Sequence, residues 1–180
     1  RDRVRWGRQK RSWKMLEKEL RATAYHEAGH ALISTLIKGC DPLHKVTIVP
    51  RGQALGLTMS LPEQDTYSMT RTELLARIAM CFGGRIGEQI FTEDLSTGAS
   101  NDIEQATNMA RKMVTEWGMS ELGPIKFGAG GSDPVFIGGR EMGRGTELSE
   151  DTMQKIDAEV NRLVTTQHDL AESLILEHRD

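Results

Sequence analysis

The chain has 180 residues, 38% of them hydrophobic and 27% charged, with a formal net charge of −3. That length suits one domain with a sizeable core, and the charge balance does not suit a nucleic-acid binder. Two cysteines, Cys40 and Cys81, lack metal-type spacing and read as reduced thiols in a non-oxidising compartment. No apolar stretch approaches a membrane span and no signal peptide is visible. In chain order, basic residues crowd the start, from Arg1 to Lys14 against Asp2 alone. Segment 1–14 is therefore expected to be a solvated linker leading into a domain over 15–180. With no initial Met and a charged helical end, the chain reads as a piece of a longer protein.

Residues 13–38 predict a long helix ended by Gly39 in the C′ position. Residues 45–50 predict a strand, Arg51-Gly52-Gln53 a turn, and 55–61 a second strand closed by Pro62. Thr70-Arg71-Thr72-Glu73 has the form of a capping box and opens a helix to about Phe91. Ser100 or Asn101 caps the next helix, which runs to Trp117 with Gly118 past its end. Residues 123–145 hold eight glycines and predict an irregular segment. Ser149 then starts a long helix with Ile156, Val160, Leu163, Leu170 and Leu174 on one stripe. The fold class is mainly α with a small β-sheet.

His26-Glu27-Ala28-Gly29-His30 carries the chemistry. On a helix, positions i and i+4 share a face, so His26 and His30 can aim their rings at one ion. Glu27 flanks that ion without lying in line with the histidines. A zinc peptidase needs two neutral nitrogen ligands, an open position for water and a carboxylate to take the water's proton. Tyr25, Ala28, Gly29, Ala31, Leu32 and Ile33 make the surroundings small and apolar, as expected of a buried helix.

A third protein ligand is required. The extended motif that would place Gly at 33 and His at 36 is absent, because these are Ile33 and Leu36. His44 sits in a turn close in sequence, and His168 and His178 have polar neighbours on the far helix; all three read as surface histidines. The carboxylates Glu88, Glu93, Asp94 and Asp102 remain. Asp102 leads them, since it falls in the first turn of a helix, where the macrodipole favours negative charge. Spacing alone does not decide between a ligand and a simple first-turn aspartate.

Several motifs together resemble the FtsH-type ATP-dependent membrane metalloproteases. They are Tyr25-His26-Glu27-Ala28-Gly29-His30-Ala31, Gly83-Gly84-Arg85 with Glu88, and Ser96-Thr97-Gly98-Ala99 with Asn101-Asp102. Shorter matches, such as Leu61-Pro62-Glu63, Gly118-Met119-Ser120 and Ile156-Asp157, extend the likeness over nearly the whole chain. The resemblance implies a helical zincin-type protease domain with an edge strand near the metal site. It implies zinc, one ion per chain, held by His26, His30 and Asp102, with Glu27 catalytic. It also implies an upstream ATPase module that would bind ATP, membrane-spanning segments in an inner membrane of a bacterium or organelle, and a homo-hexamer. This chain has no Gly-x-x-x-x-Gly-Lys-Ser/Thr loop, so ATP is expected to act only through that absent module. Gly87 stands where the family commonly has alanine.

Glu88 is expected to orient a histidine ring from behind. Leu55, Gly56, Leu57 and Thr58 are expected to pair the main chain of unfolded polypeptide substrates as an added strand. Two other readings are a stand-alone zinc peptidase for small peptides and a catalytically silent hexamerisation module. Glu27 speaks against the second, because a structural metal has no use for a carboxylate beside an open position.

Overall fold

The computed structural model describes residues 16–49, 56–60, 68–127 and 148–179, and the basic segment 1–14 lies outside them. Among the described residues, four helices and one small sheet are formed: α1 (Glu17–Leu36), β1 (Leu43–Thr47), β2 (Leu57–Ser60), α2 (Arg71–Thr92), α3 (Ser100–Thr115) and α4 (Glu150–Glu177). A 3₁₀ turn, Thr97–Ala99, leads into α3. The mainly α class with a small sheet is what the sequence predicts.

α2 is the central element, packed against α1, α3 and α4. Its start is the expected capping box: Thr70 Oγ1 accepts from Glu73 N at 3.3 Å, and Thr70 N donates back to Glu73 Oε2 at 2.6 Å. Ile78, Ile86, Met113, Ile175 and Ile33, all fully buried, bring the four helices to one core. Each removes roughly 1.5–3 kcal/mol of apolar surface from water. Cys40 and Cys81 are free thiols. Burial pushes Cys81 up to about 12 and Cys40 to about 11, so both stay protonated near neutral pH.

Several boundaries differ from expectation for identifiable reasons. α1 ends at Leu36, and Ile37 is already extended; Gly39, at φ +106°, serves the turn beyond rather than the helix end itself. α1 is also not buried all round, since Ala28 faces solvent while Gly29 and Ile33 face the core. β1 begins two residues earlier than predicted, at Leu43, because its pairing with β2 carries a shift between Leu43 and Lys45. α3 has Ala99 as its N-cap, and Ser96 instead caps the preceding turn by accepting from Gly98 N at 3.1 Å. On α4, Leu170 is 41% exposed, and the core stripe continues from Leu163 through Gln167, Ala171 and Ile175. Steps of four residues advance the buried face by about 40° each, so it winds away from Leu170.

Glycines set the distance between α1 and α2. A Cβ on Gly29 would lie 2.0 Å from the Gly83 carbonyl oxygen, and one on Gly87 would lie 2.5 Å from that of Tyr25. The helices therefore touch backbone to backbone. Gly29→Ala should destabilise the protein by about 1–3 kcal/mol, because the clash is with main chain that cannot rotate aside. It outweighs the roughly 1 kcal/mol that alanine gains in helix propensity. Urea denaturation checks this, and an unchanged midpoint would mean that the helices separate without cost.

Candidate active site

The close crossing of α1 and α2 fixes where the motif histidines point. His26 and His30 are one turn apart on α1, with Nε2 atoms 3.1 Å from each other. Asp102 approaches from α3, its Oδ2 3.3 Å from His26 Nε2 and 3.6 Å from His30 Nε2. Its direction follows from α3 itself: Asp102, Ala106 and Ala110 are spaced by four residues, and the two alanines are fully buried. Asp102 is thus the outermost member of the inward face. All three side chains are largely shielded, at 16%, 12% and 21% exposure for His26, His30 and Asp102.

The second ring nitrogens are also engaged. His30 Nδ1 lies 2.7 Å from the carbonyl oxygen of Met80 on α2. A carbonyl can only accept, so Nδ1 carries the proton and the Nε2 lone pair faces His26 and Asp102. His26 Nδ1 lies 3.8 Å from Glu88 Oε2, and Glu88 is buried. Burial works against the charged form of His30, yet the hydrogen bond and charge of Asp102 outweigh it and hold the imidazole above its ordinary value. Burial likewise opposes ionisation of Asp102, and the two rings overcome it, holding the carboxyl well below the usual range.

Glu27 is buried, at 7% exposure, on the side of α1 that faces β2. Thr58 donates its hydroxyl to Glu27 Oε2 and lies 3.1 Å from the Glu27 carbonyl oxygen. Gly56 is pressed against the same side chain: a Cβ there would lie 2.5 Å from Glu27 Oε1. Of the predicted strand residues, Leu57 and Thr58 are in β2, Gly56 immediately precedes it, and Leu55 lies outside the described residues. Among the described residues β2 pairs with β1 alone.

Two observations test whether these residues suit a zinc ion. With ligand bonds of roughly 2.0–2.2 Å, a tetrahedral site separates its donor atoms by roughly 3.3–3.6 Å. The three donors lie 3.1, 3.3 and 3.6 Å apart. Space is kept for an ion as well. A Cβ on Gly84 would lie 2.5 Å from His30 Nε2 and 2.7 Å from His26 Nε2, so only glycine leaves this cradle clear. The residues fit zinc.

Without metal, three acceptor groups converge and a proton must separate them. Because Asp102 raises His30, that pair's stabilisation of the metal-free fold is complete below His30's unfolded value, about 6.5, and is lost as pH rises through its higher folded value. Asp102's share is present above about 3.9 and is lost as pH falls through its depressed value. A zinc ion held there would have to displace the His30 proton. Zinc affinity, read by chelator competition, should therefore begin to fall at a pH above about 6.5, and excess zinc should partly restore metal occupancy lost in acid. An acid loss indifferent to added zinc would assign it to another group.

The other carboxylates and histidines stay apart from this cluster. Glu93 is the left-handed cap of α2, and Asp94 pairs with Lys18 at 3.7 Å. His44 is exposed on β1, and His178 closes α4 with Nδ1 3.0 Å from the Leu174 carbonyl oxygen. His168 is half-buried and stands edge-on to the core residue Phe82, with the exposed Asp169 beside it. Three features escape sequence reasoning. The Met80 carbonyl leaves no trace in residue identity, and Thr58 gives no sign of reaching Glu27. Gly84 was signalled as half of a glycine pair, though not as the clearance beside two ring nitrogens.

Residues 14–180 match the family model of peptidase family M41. Over 100% of its length the chain is 50% identical to the ATP-dependent zinc metalloprotease FtsH 2 of Methylacidiphilum infernorum (isolate V4), covering 28% of that protein. It is 49% identical over 98% of its length to the ATP-dependent zinc metalloprotease FtsH of Myxococcus xanthus (strain DK1622), again covering 28%. FtsH 1 of Thermoanaerobacter sp. (strain X514), with the same description, is 50% identical over 99% of the chain, which covers 29% of it. The chain thus spans under a third of these relatives.

Proposed function

Since this chain belongs to peptidase family M41, as a protease domain of the FtsH type, we infer that it hydrolyses peptide bonds at a zinc site formed by His26, His30 and Asp102. The observation that carries the reading is the convergence of two Nε2 atoms and one carboxylate oxygen at tetrahedral spacing beside the Gly84 cradle. A bound zinc would supply Lewis acidity, bringing a water's pKa toward ~7 and polarising the scissile carbonyl. Met80 holds His30 in the tautomer that presents Nε2, and Glu88 stands behind His26 to orient its ring. Glu27 takes the proton of the attacking water and delivers it to the leaving amine. β2, with an edge open among the described residues, receives the substrate main chain as an added strand. Such recognition reads backbone more than side chain and suits diverse unfolded polypeptides.

The parent protein, on this reading, is an ATP-dependent, membrane-anchored homo-hexamer with an ATPase module preceding this domain and segment 1–14 as the linker. Its domain would lie on the cytoplasmic or matrix-like side of the membrane. The support is the description of the relatives and the length they have beyond the match. No helix among the described residues is long and apolar enough to cross a membrane. All the reacting groups proposed here belong to this chain, so nucleotide is needed only to unfold and deliver substrate. Loaded with zinc, the chain should slowly cut casein and reduced, alkylated proteins and spare a stably folded substrate, which exposes extended backbone only in a small open fraction. ATP should change neither rate, and chelation should stop cleavage. Equal rates on folded and destabilised forms of one substrate would instead support a peptidase of small peptides or surface loops.

A further inference from the structure

Glu27 is a carboxylate at 7% exposure, and among the described residues Thr58 alone hydrogen-bonds it. A buried charge with a single partner depends heavily on that partner. The Thr58 hydroxyl lies between the Glu27 carboxylate and the Glu27 carbonyl oxygen. The charged oxygen is the stronger acceptor, so the proton is directed to Oε2. The geometry points to Thr58 as a positioning residue for the general base, an inference that rests on the reading of Glu27 as the group that takes the water's proton.

Three features make this more than a passing contact. A glutamate side chain has three rotatable bonds, and the bond to Oε2 fixes the last of them. Oε1 is left without a hydrogen-bond donor among the described residues. Gly56, two residues before Thr58 and on the same side of the chain, closes on Oε1: a Cβ there would lie 2.5 Å away. Glu27 is thus held at Oε2 by a hydroxyl of β2, and the residue just before that strand has no room for a side chain beside Oε1. That strand is also the one proposed to receive substrate. A shift of β2 as a chain pairs with it therefore moves the base too, and substrate docking and base alignment are set by one element.

The test compares the zinc-loaded protein with Thr58→Val, which is isosteric, Thr58→Ala, a second hydroxyl-free variant, and Thr58→Ser, which keeps the donor. Each is assayed for zinc content, for kcat and KM on unfolded casein, and for the ¹³C shift of the Glu27 carboxyl carbon. Val and Ala should retain zinc and keep KM within about twofold, while kcat falls roughly 10- to 100-fold through misplacement of the base. Ser should stay within about threefold of the parent. The carboxyl shift should move in Val and Ala and not in Ser. An unchanged kcat, a loss confined to KM, loss of zinc, or failure of Ser to restore the rate would each overturn the assignment. The carboxyl shift does not depend on turnover. If the parent itself cleaves nothing, the proposed function fails, while an unmoved shift in Val and Ala sinks the Thr58 contact alone.

Discussion

Replacing Glu27 with glutamine should leave zinc in place and lower peptide cleavage by roughly 10²- to 10⁴-fold. The substitution keeps the shape of the side chain and an oxygen that can still accept from Thr58. It removes the carboxylate proposed to take the water's proton. Glu27 is buried, so exchanging its charge for a neutral amide lessens the cost of burial, and thermal stability should not fall. The donors proposed for zinc are on His26, His30 and Asp102, whereas the Glu27 carboxylate turns toward β2. Metal analysis, a melting curve and casein hydrolysis on one preparation settle the matter. Loss of metal in this variant would show that Glu27 serves the site's structure, and its role as base would have to be abandoned.

The convergence of His26 and His30 was legible because a helix enforces it: four residues apart means one face, whatever surrounds them. Asp102 was legible only in part. Its place in a first turn could be read, but its approach to α1 depends on α3 packing through Ala106 and Ala110, which is a tertiary fact. Motif resemblance, not spacing, singled it out. The capping box at Thr70 and the start of α4 at Ser149 were set by local side-chain chemistry, and sequence reading placed both. The edges of β1 and the far end of the α4 stripe were missed, because strand register and a winding helix face are settled between elements. Groups that act through main chain were the hardest to see. The Met80 carbonyl meets His30 through an atom that every residue possesses, and Gly56 makes room for Glu27 only by lacking a side chain.

The glycines join fold and site more directly than the motif does. Gly29 and Gly83 let the two helices meet at main-chain distance, which brings the Met80 carbonyl within reach of His30. One residue further on, Gly84 keeps the space beside both Nε2 atoms open. A larger side chain at any of these positions would act on the metal site from the α2 side. Stability and metal affinity are therefore expected to fail together at Gly29 and Gly83, and metal affinity first at Gly84.

Asp102→Ala should lower zinc affinity by well over ~100-fold, more than Glu88→Gln, for which a 10- to 100-fold loss is the ordinary cost of removing a group behind a ligand. The first variant takes away one of three donors and leaves two imidazole nitrogens 3.1 Å apart with no anion to balance a dication. The second leaves all three donors and loosens only the ring of His26, whose Nδ1 is 3.8 Å from Glu88. The two losses should also respond differently to pH. Burial works against the charged form of His30, and Asp102 is the largest of the groups that hold the ring above its ordinary value, ahead of Met80 and Glu27. Without Asp102, only the Met80 hydrogen bond and the Glu27 charge remain to oppose burial, so the metal-free ring gives up its proton at a lower pH, and proton competition with zinc shifts downward. Glu88→Gln does not touch that pair, so its pH profile should parallel that of the parent. Zinc affinities of both variants across pH 6 to 8, roughly the range in which an imidazole titrates, provide the measurement. If metal content follows Glu88 and ignores Asp102, the third ligand is Glu88 and the roles assigned to these carboxylates are exchanged.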